Sequence, residues 1–233
     1  KRHVYVCNVP DYGVEEVSTH AMALILAGLR KIVLLSNSVK SGTWDYKVTK
    51  PIHRTNTLTL GIVGFGRIGS MVAKKAAPFS FRLIACDPNV GGEAMKEYGA
   101  EKVDFDTLLK ESDIVTVHVP LQKDTFHLLG REALSKMKRT ALLVNTARGP
   151  LVDEKALAEA LEKKALSGAM LDVCEKEPLP GDSALRRLDN VILTPHAAWY
   201  SEEAQDDLQR KAAEEVVRVL SGGKPRCCVN LPG

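Results

Sequence analysis

The sequence predicts an α/β chain built on a doubly wound parallel sheet of the dinucleotide-binding type, and three observations predict it. Residues 60–69 read LGIVGFGRIG, an apolar run that breaks into closely spaced glycines. A second apolar run, residues 82–86, ends in Asp87-Pro88. From there, short Val/Ile/Leu-rich runs alternate with amphipathic segments along most of the chain. Near-continuous apolar runs mark strands that helices cover on both faces.

The elements follow in order. Residues 14–39 form one long helical pattern, apolar on much of its circumference through Ala21, Leu24, Ile25, Leu26, Leu29, Ile32, Val33 and Leu35. Such a helix is buried, on the sheet, on a second subunit, or on both. Left exposed, it is an aggregation liability, so the chain is expected to be a homodimer. Residues 42–56 have no period and read as an extended arm, with Trp44 as an interface or core anchor. Strands are expected at 60–63, 82–86, 114–118, 142–145, 168–171 and 191–193. Helices are expected at 70–77, 92–98, 105–110, 131–137 and 154–163. A last helix, 201–220, stops at Gly222-Gly223. Cys227–Val229 reads as a strand in want of a sheet edge, with no partner evident along the chain.

Composition narrows the function classes. The 233 residues are 45% hydrophobic and 26% charged, ordinary for a globular protein. A net charge of +3, from 32 basic and 29 acidic residues, is too balanced to indicate nucleic acid or a membrane surface. The apolar stretch at 21–29 is cut by Arg30-Lys31 and is too short to span a bilayer. The five cysteines have no zinc spacing, and His3, His53 and His127 suggest no metal. Cys86 and Cys174 read as reduced core thiols, and Cys227-Cys228 as reduced neighbours. A cytoplasmic location is expected.

The glycines have a mechanical reading. Gly64 permits the tight turn out of the strand, Gly66 lets a pyrophosphate approach the backbone, and Gly69 lets the helix pack closely. With Arg67 and Ile68 they open a helix whose free N–H groups and positive dipole end suit phosphates. Asp87 stands where a carboxylate accepts hydrogen bonds from the adenosine ribose, and it repels a 2′-phosphate. NAD(H) is therefore expected. Arg148, Glu177 and His196 each follow a predicted strand end, where open α/β sheets place their ligands. A guanidinium can clamp a carboxylate, and an imidazole can move a proton. A carboxylate beside the imidazole holds its tautomer.

GIVGFGRIG, CDP, VHVPL with Thr125 and His127-Leu128, VNTARGPLVDEKAL, LDVCEKEP and TPHAAWYSEEA occur in one order along the chain. In them the chain resembles the D-isomer-specific 2-hydroxyacid dehydrogenase family. TPHAAWYSE and NTARG with LVDEKAL are especially similar to the C-terminal binding protein branch. The resemblance implies an NAD-dependent oxidoreductase that interconverts small 2-oxo and D-2-hydroxy acids. An NAD(H)-binding corepressor-like interaction protein is the alternative. It implies Arg148 as the substrate-binding arginine, His196 as proton donor, Glu177 as its partner and Asp87 as the ribose acid. Val119, Pro120 and Thr125 correspond to the loop on the adenine and ribose side. Thr146, Ala147 and Ala198 correspond to cofactor contacts, Asp172 to the acid near the nicotinamide amide, and Trp199 to a wall of the substrate pocket. Residues 1–13 are similar to the link from a substrate domain. Residues 14–200 are then the dinucleotide-binding domain, with dimerisation helix and arm at 14–56, and 201–233 return towards the substrate domain. The family's leading half of that domain, with its carboxylate-binding glycine loop, is expected to be missing. A hydroxyl common in the family is absent at Ala21, with Thr19 the candidate to replace it.

Overall fold

The computed structural model describes residues 4–230; His3 and residues 231–233 lie outside them. The elements run α1 (Val14–Leu29), α2 (Ile32–Lys40), β1 (Thr59–Val63), α3 (Arg67–Ala76), β2 (Arg82–Cys86), α4 (Gly92–Lys96), β3 (Ala100–Lys102) and α5 (Phe105–Glu111). They continue as β4 (Ile114–Val117), α6 (Arg131–Lys136), β5 (Leu142–Asn145), α7 (Glu154–Glu162), β6 (Gly168–Leu171), β7 (Val191–Leu193) and α8 (Glu202–Leu220). The strands form one sheet in the order β3-β2-β1-β4-β5-β6-β7. Every pairing is parallel, with Val63 beside both Cys86 and Val117. The order reverses between β1 and β4, so a crevice opens above their carboxyl ends.

Alternation along the strands divides the core into two layers. Leu60 and Ile62 face the layer of Ile25, Val72 and Ala76, while Val115, Val117 and Leu143 face that of Leu109, Leu129 and Leu157. Each of these side chains is almost fully buried, and each Val, Leu and Ile among them is worth about 1.5–3 kcal/mol on transfer from water. The sheet is thereby a rigid base for the loops above it.

Four expectations need correction. The sheet has a seventh strand, β3, missed because Ala100-Glu101-Lys102 is an edge strand with two exposed charges and no apolar run. Strand β4 stops at Val117, so His118 belongs to the loop. The long helix is two: the chain bends by 58° between α1 and α2, and Lys31 adopts φ +52° at the break. Helix α1 buries Ala21, Leu24 and Ile25, whereas α2 buries no residue and leaves Ile32, Val33 and Val39 exposed. Finally, the tail does have a partner. Cys228 lies opposite Cys7 in an antiparallel bridge, with Asn8 N–H donating to Cys227 O at 3.1 Å and Val229 N–H to Val6 O at 2.8 Å.

The arm is less extended than expected, with 3₁₀ turns at Tyr46–Thr49 and Thr55–Thr57. Its Trp44 is 88% exposed and anchors nothing within this chain. The five cysteines are free thiols. No single helix among the described residues is long and apolar enough to cross a membrane.

Candidate active site

The glycine turn sits above β1. Gly64 has φ +90°, and a Cβ there would lie 2.8 Å from Val119 N. At Gly69 a Cβ would lie 2.0 Å from Gly64 O, so helix and turn touch only because it is absent. Gly66 faces open space instead. It caps α3, which starts earlier than the apolar pattern suggests and has no side-chain cap. The N–H groups of Arg67 and Ile68 are thus first-turn donors without helical acceptors, the donor set an anion needs. Asp87 ties the turn down. Its Oδ2 accepts from Phe65 N–H and its Oδ1 from Asn89 N–H, both at 2.8 Å. Each oxygen keeps a lone pair for a ribose hydroxyl.

A cleft of about 700 Å³ runs from this turn across the strand ends. Gly66, Arg67 and Ile68 line one end; Val119, Pro120, Thr146 and Ala147 line the middle; Arg148, Asp172, His196, Ala198 and Trp199 line the other end. The opening segment, including Val9, Tyr12 and Val14, closes one side. Gly66 and His196, far apart in the sequence, meet on one cleft because β1, β4, β5, β6 and β7 are consecutive neighbours in the sheet.

Several predicted residues do not line the cleft. Gly64 and Gly69 lie beneath it and Asp87 beside the turn. Thr125 folds the loop after β4: its hydroxyl donates to Pro120 O and accepts from Gln122 N–H, each at 2.7 Å. Glu177 reaches His196 from behind. Thr19 accepts a hydrogen bond from Lys75 Nζ and does not line the cleft.

The His196–Glu177 geometry is explicit. His196 Nδ1 and Glu177 Oε2 are 2.7 Å apart, and Glu177 Oε1 accepts from Cys174 N–H at 3.0 Å. A carboxylate can only accept, so Nδ1 carries the hydrogen and Nε2 is the nitrogen left for the cleft. Burial pushes Glu177 up, but the Cys174 N–H and the histidine outweigh it and hold the carboxyl below its usual value. A carboxyl with a lowered pKa lends the fold stability that is complete above its unfolded pKa. That stability is lost as pH falls through the lowered value. Arg148 is exposed, and its Nη1 donates to Ala147 O at 2.6 Å. Asn145 staples that loop: Nδ2 donates to Arg148 O at 2.9 Å, and Oδ1 accepts from Ala147 N–H at 3.0 Å. Trp199 packs edge-on against Tyr12, with ring centroids 6.2 Å apart.

Two polar atoms in the cleft wall are buried and unpaired, His118 Nδ1 and Thr146 Oγ1. Such orphans are costly unless a ligand completes them. The His118 ring borders the cleft with its Nε2 on Thr116 Oγ1 at 2.9 Å, and burial pushes its pKa down, which keeps it neutral. Orphaned polar atoms in the middle of the cleft, with open space over Gly66 and free N–H groups at one end, fit a dinucleotide lying across the strand ends. The sequence puts His118 at the end of the expected strand 114–118 and gives Asn145 and Tyr12 no role; Asn145 lies within VNTARGPLVDEKAL, but the motif does not show that its amide staples the loop.

The fold and cleft define a dinucleotide-binding α/β domain with a hydrogen-bonded His–Glu pair at one end of the cleft. Residues 22–198 match the family described as "D-isomer specific 2-hydroxyacid dehydrogenase, NAD binding domain". The chain belongs to that family and is an NAD-binding member of it. It is 42% identical to a glyoxylate reductase of Korarchaeum cryptofilum, over 99% of this chain and 70% of that protein. It is equally identical to a D-3-phosphoglycerate dehydrogenase of Archaeoglobus fulgidus, over 100% of this chain and 44% of that protein. The crystal structure of D-lactate dehydrogenase from Aquifex aeolicus, complexed with NAD and lactic acid, superposes with a TM-score of 0.86 at 34% identity. That match covers 94% of this chain and 70% of the other. These relatives are oxidoreductases and lend no support to the C-terminal binding protein branch.

Proposed function

We propose that the protein is an NAD-dependent oxidoreductase that interconverts a small 2-oxo acid and the D-2-hydroxy acid. The observation that carries this reading is the 2.7 Å His196–Glu177 pair on the same cleft as Arg148. Gly66, Arg67, Ile68 and Asp87 would hold the cofactor's phosphates and ribose, with Val119, Pro120, Thr146, Ala147, Asp172 and Ala198 along its length. The bound cofactor supplies or accepts the hydride. Arg148 has guanidinium donors left beyond its bond to Ala147 and pairs with the substrate carboxylate. His196 Nε2 gives a proton to the carbonyl oxygen in reduction and takes it back in oxidation. Glu177 stabilises the imidazolium between these events. Trp199 and Tyr12 wall the substrate side. Steady-state oxidation of NADH with glyoxylate, hydroxypyruvate and pyruvate tests the reading, with chiral analysis of the lactate formed from pyruvate. D-lactate is expected if pyruvate is accepted. No turnover with any of the three, or L-lactate, would contradict it.

The same reading assigns residues 14–200 to the cofactor domain, and 1–13 and 201–233 to connections with a substrate domain. The pairing of Cys7 with Cys228 supports this, because it brings the two connections together. A second copy would cover Ile32, Val33 and Trp44; sedimentation showing a monomer at micromolar concentration would rule that out. Five free thiols suit a reducing compartment, and the cytoplasm is our assignment.

A further inference from the structure

His196 sits in a backbone conformation that a side chain disfavours, with φ +55°. Something must hold it there, and the supports converge on Asp172. The Asp172 carboxylate is sealed from solvent. Its Oδ1 accepts from Thr194 Oγ1 at 2.6 Å and Ala197 N–H at 2.9 Å, and its Oδ2 from Ala198 N–H at 2.9 Å. Its main-chain oxygen accepts from His196 N–H at 2.8 Å. One buried carboxylate therefore fastens both sides of the turn that presents His196.

The last member of this network comes from elsewhere in the chain. His20, on α1, places Nε2 3.0 Å from Thr194 Oγ1 and 3.6 Å from Asp172 Oδ1. The Thr194 hydroxyl has one hydrogen, and it points at the carboxylate. Towards His20 it can only accept, so His20 Nε2 carries a hydrogen and donates. The order is His20 N–H to Thr194 O–H to Asp172. Each donor lowers the cost of keeping the carboxylate charged in a buried place.

We propose that His20 is a positioning residue for His196, acting through Thr194 and Asp172, so that α1 helps set the aim of the proton donor. This rests on the oxidoreductase reading above. The geometry of a proton donor bears on turnover more than on cofactor binding, and a small misplacement can cost about a hundredfold.

The test uses the full native protein, NADH and glyoxylate. His20→Leu keeps bulk and removes the donor. Thr194→Val keeps shape and removes the relay, and it preserves the test if His20→Leu does not fold. His20→Gln restores an N–H at similar reach. The Leu and Val variants should each lower kcat about tenfold or more with the NADH dissociation constant within about twofold of wild type. The double variant should lose no more than the worse single one, because both break the same chain of bonds. His20→Gln should recover most of kcat. Wild-type kcat in both single variants, a loss confined to NADH affinity, or no recovery with Gln would overturn the proposal. His196→Ala is run beside them. If it abolishes turnover while His20→Leu and Thr194→Val do not, the positioning role fails alone. If His196→Ala is fully active, the oxidoreductase reading fails first.

Discussion

The glycine turn and the histidine turn occupy opposite ends of one cleft, and they are held in different ways. The glycine turn is local. Gly64, Gly66 and Gly69 shape it by the absence of Cβ atoms, and Asp87, at the end of the next strand, pins Phe65. The histidine turn is assembled from a distance. Glu177 fixes the ring, Asp172 holds the Thr194 hydroxyl before it and the Ala197 and Ala198 N–H groups after it, and Thr194 passes a contact from His20 on α1. A phosphate site needs only unpaired N–H groups and room. A proton donor needs one nitrogen aimed at one atom, which takes more constraints. The two ends should therefore fail differently when altered.

His196→Ala has the largest expected effect. On the full native chain it should lower kcat for glyoxylate reduction by about 10²–10⁴-fold, the usual worth of a positioned acid–base group. NADH affinity should scarcely change. Gly69→Ala should do the reverse. Its new methyl meets Gly64 O, a backbone atom with little freedom to move, so the turn must open. An overpacking cost of about 1–3 kcal/mol corresponds to roughly ten- to a hundredfold weaker NADH binding. Fluorescence titration checks it, and wild-type affinity would mean the turn is softer than its contacts indicate. Asp87→Ala is milder. Losing charged acceptors for the ribose should weaken NADH about tenfold, and without the carboxylate NADPH should bind closer to NADH than it does in wild type. An unchanged ratio between the two cofactors would remove Asp87 from that role.

The same difference explains what was legible in the sequence. The strands at 82–86, 142–145, 168–171 and 191–193 were read to the residue, because they are short apolar runs whose pattern needs no tertiary information. The glycine turn was legible for the same reason: its constraints lie within one strand–turn–helix unit. Arg148, Glu177 and His196 stood out because each follows a strand, and the structure brings Glu177 and His196 into contact. What escaped depends on partners far along the chain. The break at Lys31 reflects packing of α1 on the sheet, which α2 does not share. The pairing of Cys228 with Cys7 joins opposite ends of the sequence. His20 on α1 and its partner Thr194, just after β7, lie too far apart in the sequence for any local pattern to pair them. The loop fold that Thr125 holds together likewise depends on contacts no periodicity shows.

The central claim is that one cleft binds NADH at a locally built turn and transfers a proton at a remotely braced histidine. The most direct test measures both quantities on the same preparations of wild type, Asp87→Ala and His196→Ala: the NADH dissociation constant by fluorescence, and kcat for glyoxylate reduction at saturating NADH. The account predicts that Asp87→Ala weakens NADH while keeping most of kcat, and that His196→Ala keeps NADH affinity while losing kcat by about 10²–10⁴-fold. Equal kcat in wild type and His196→Ala, or NADH binding that Asp87→Ala leaves untouched, would contradict it.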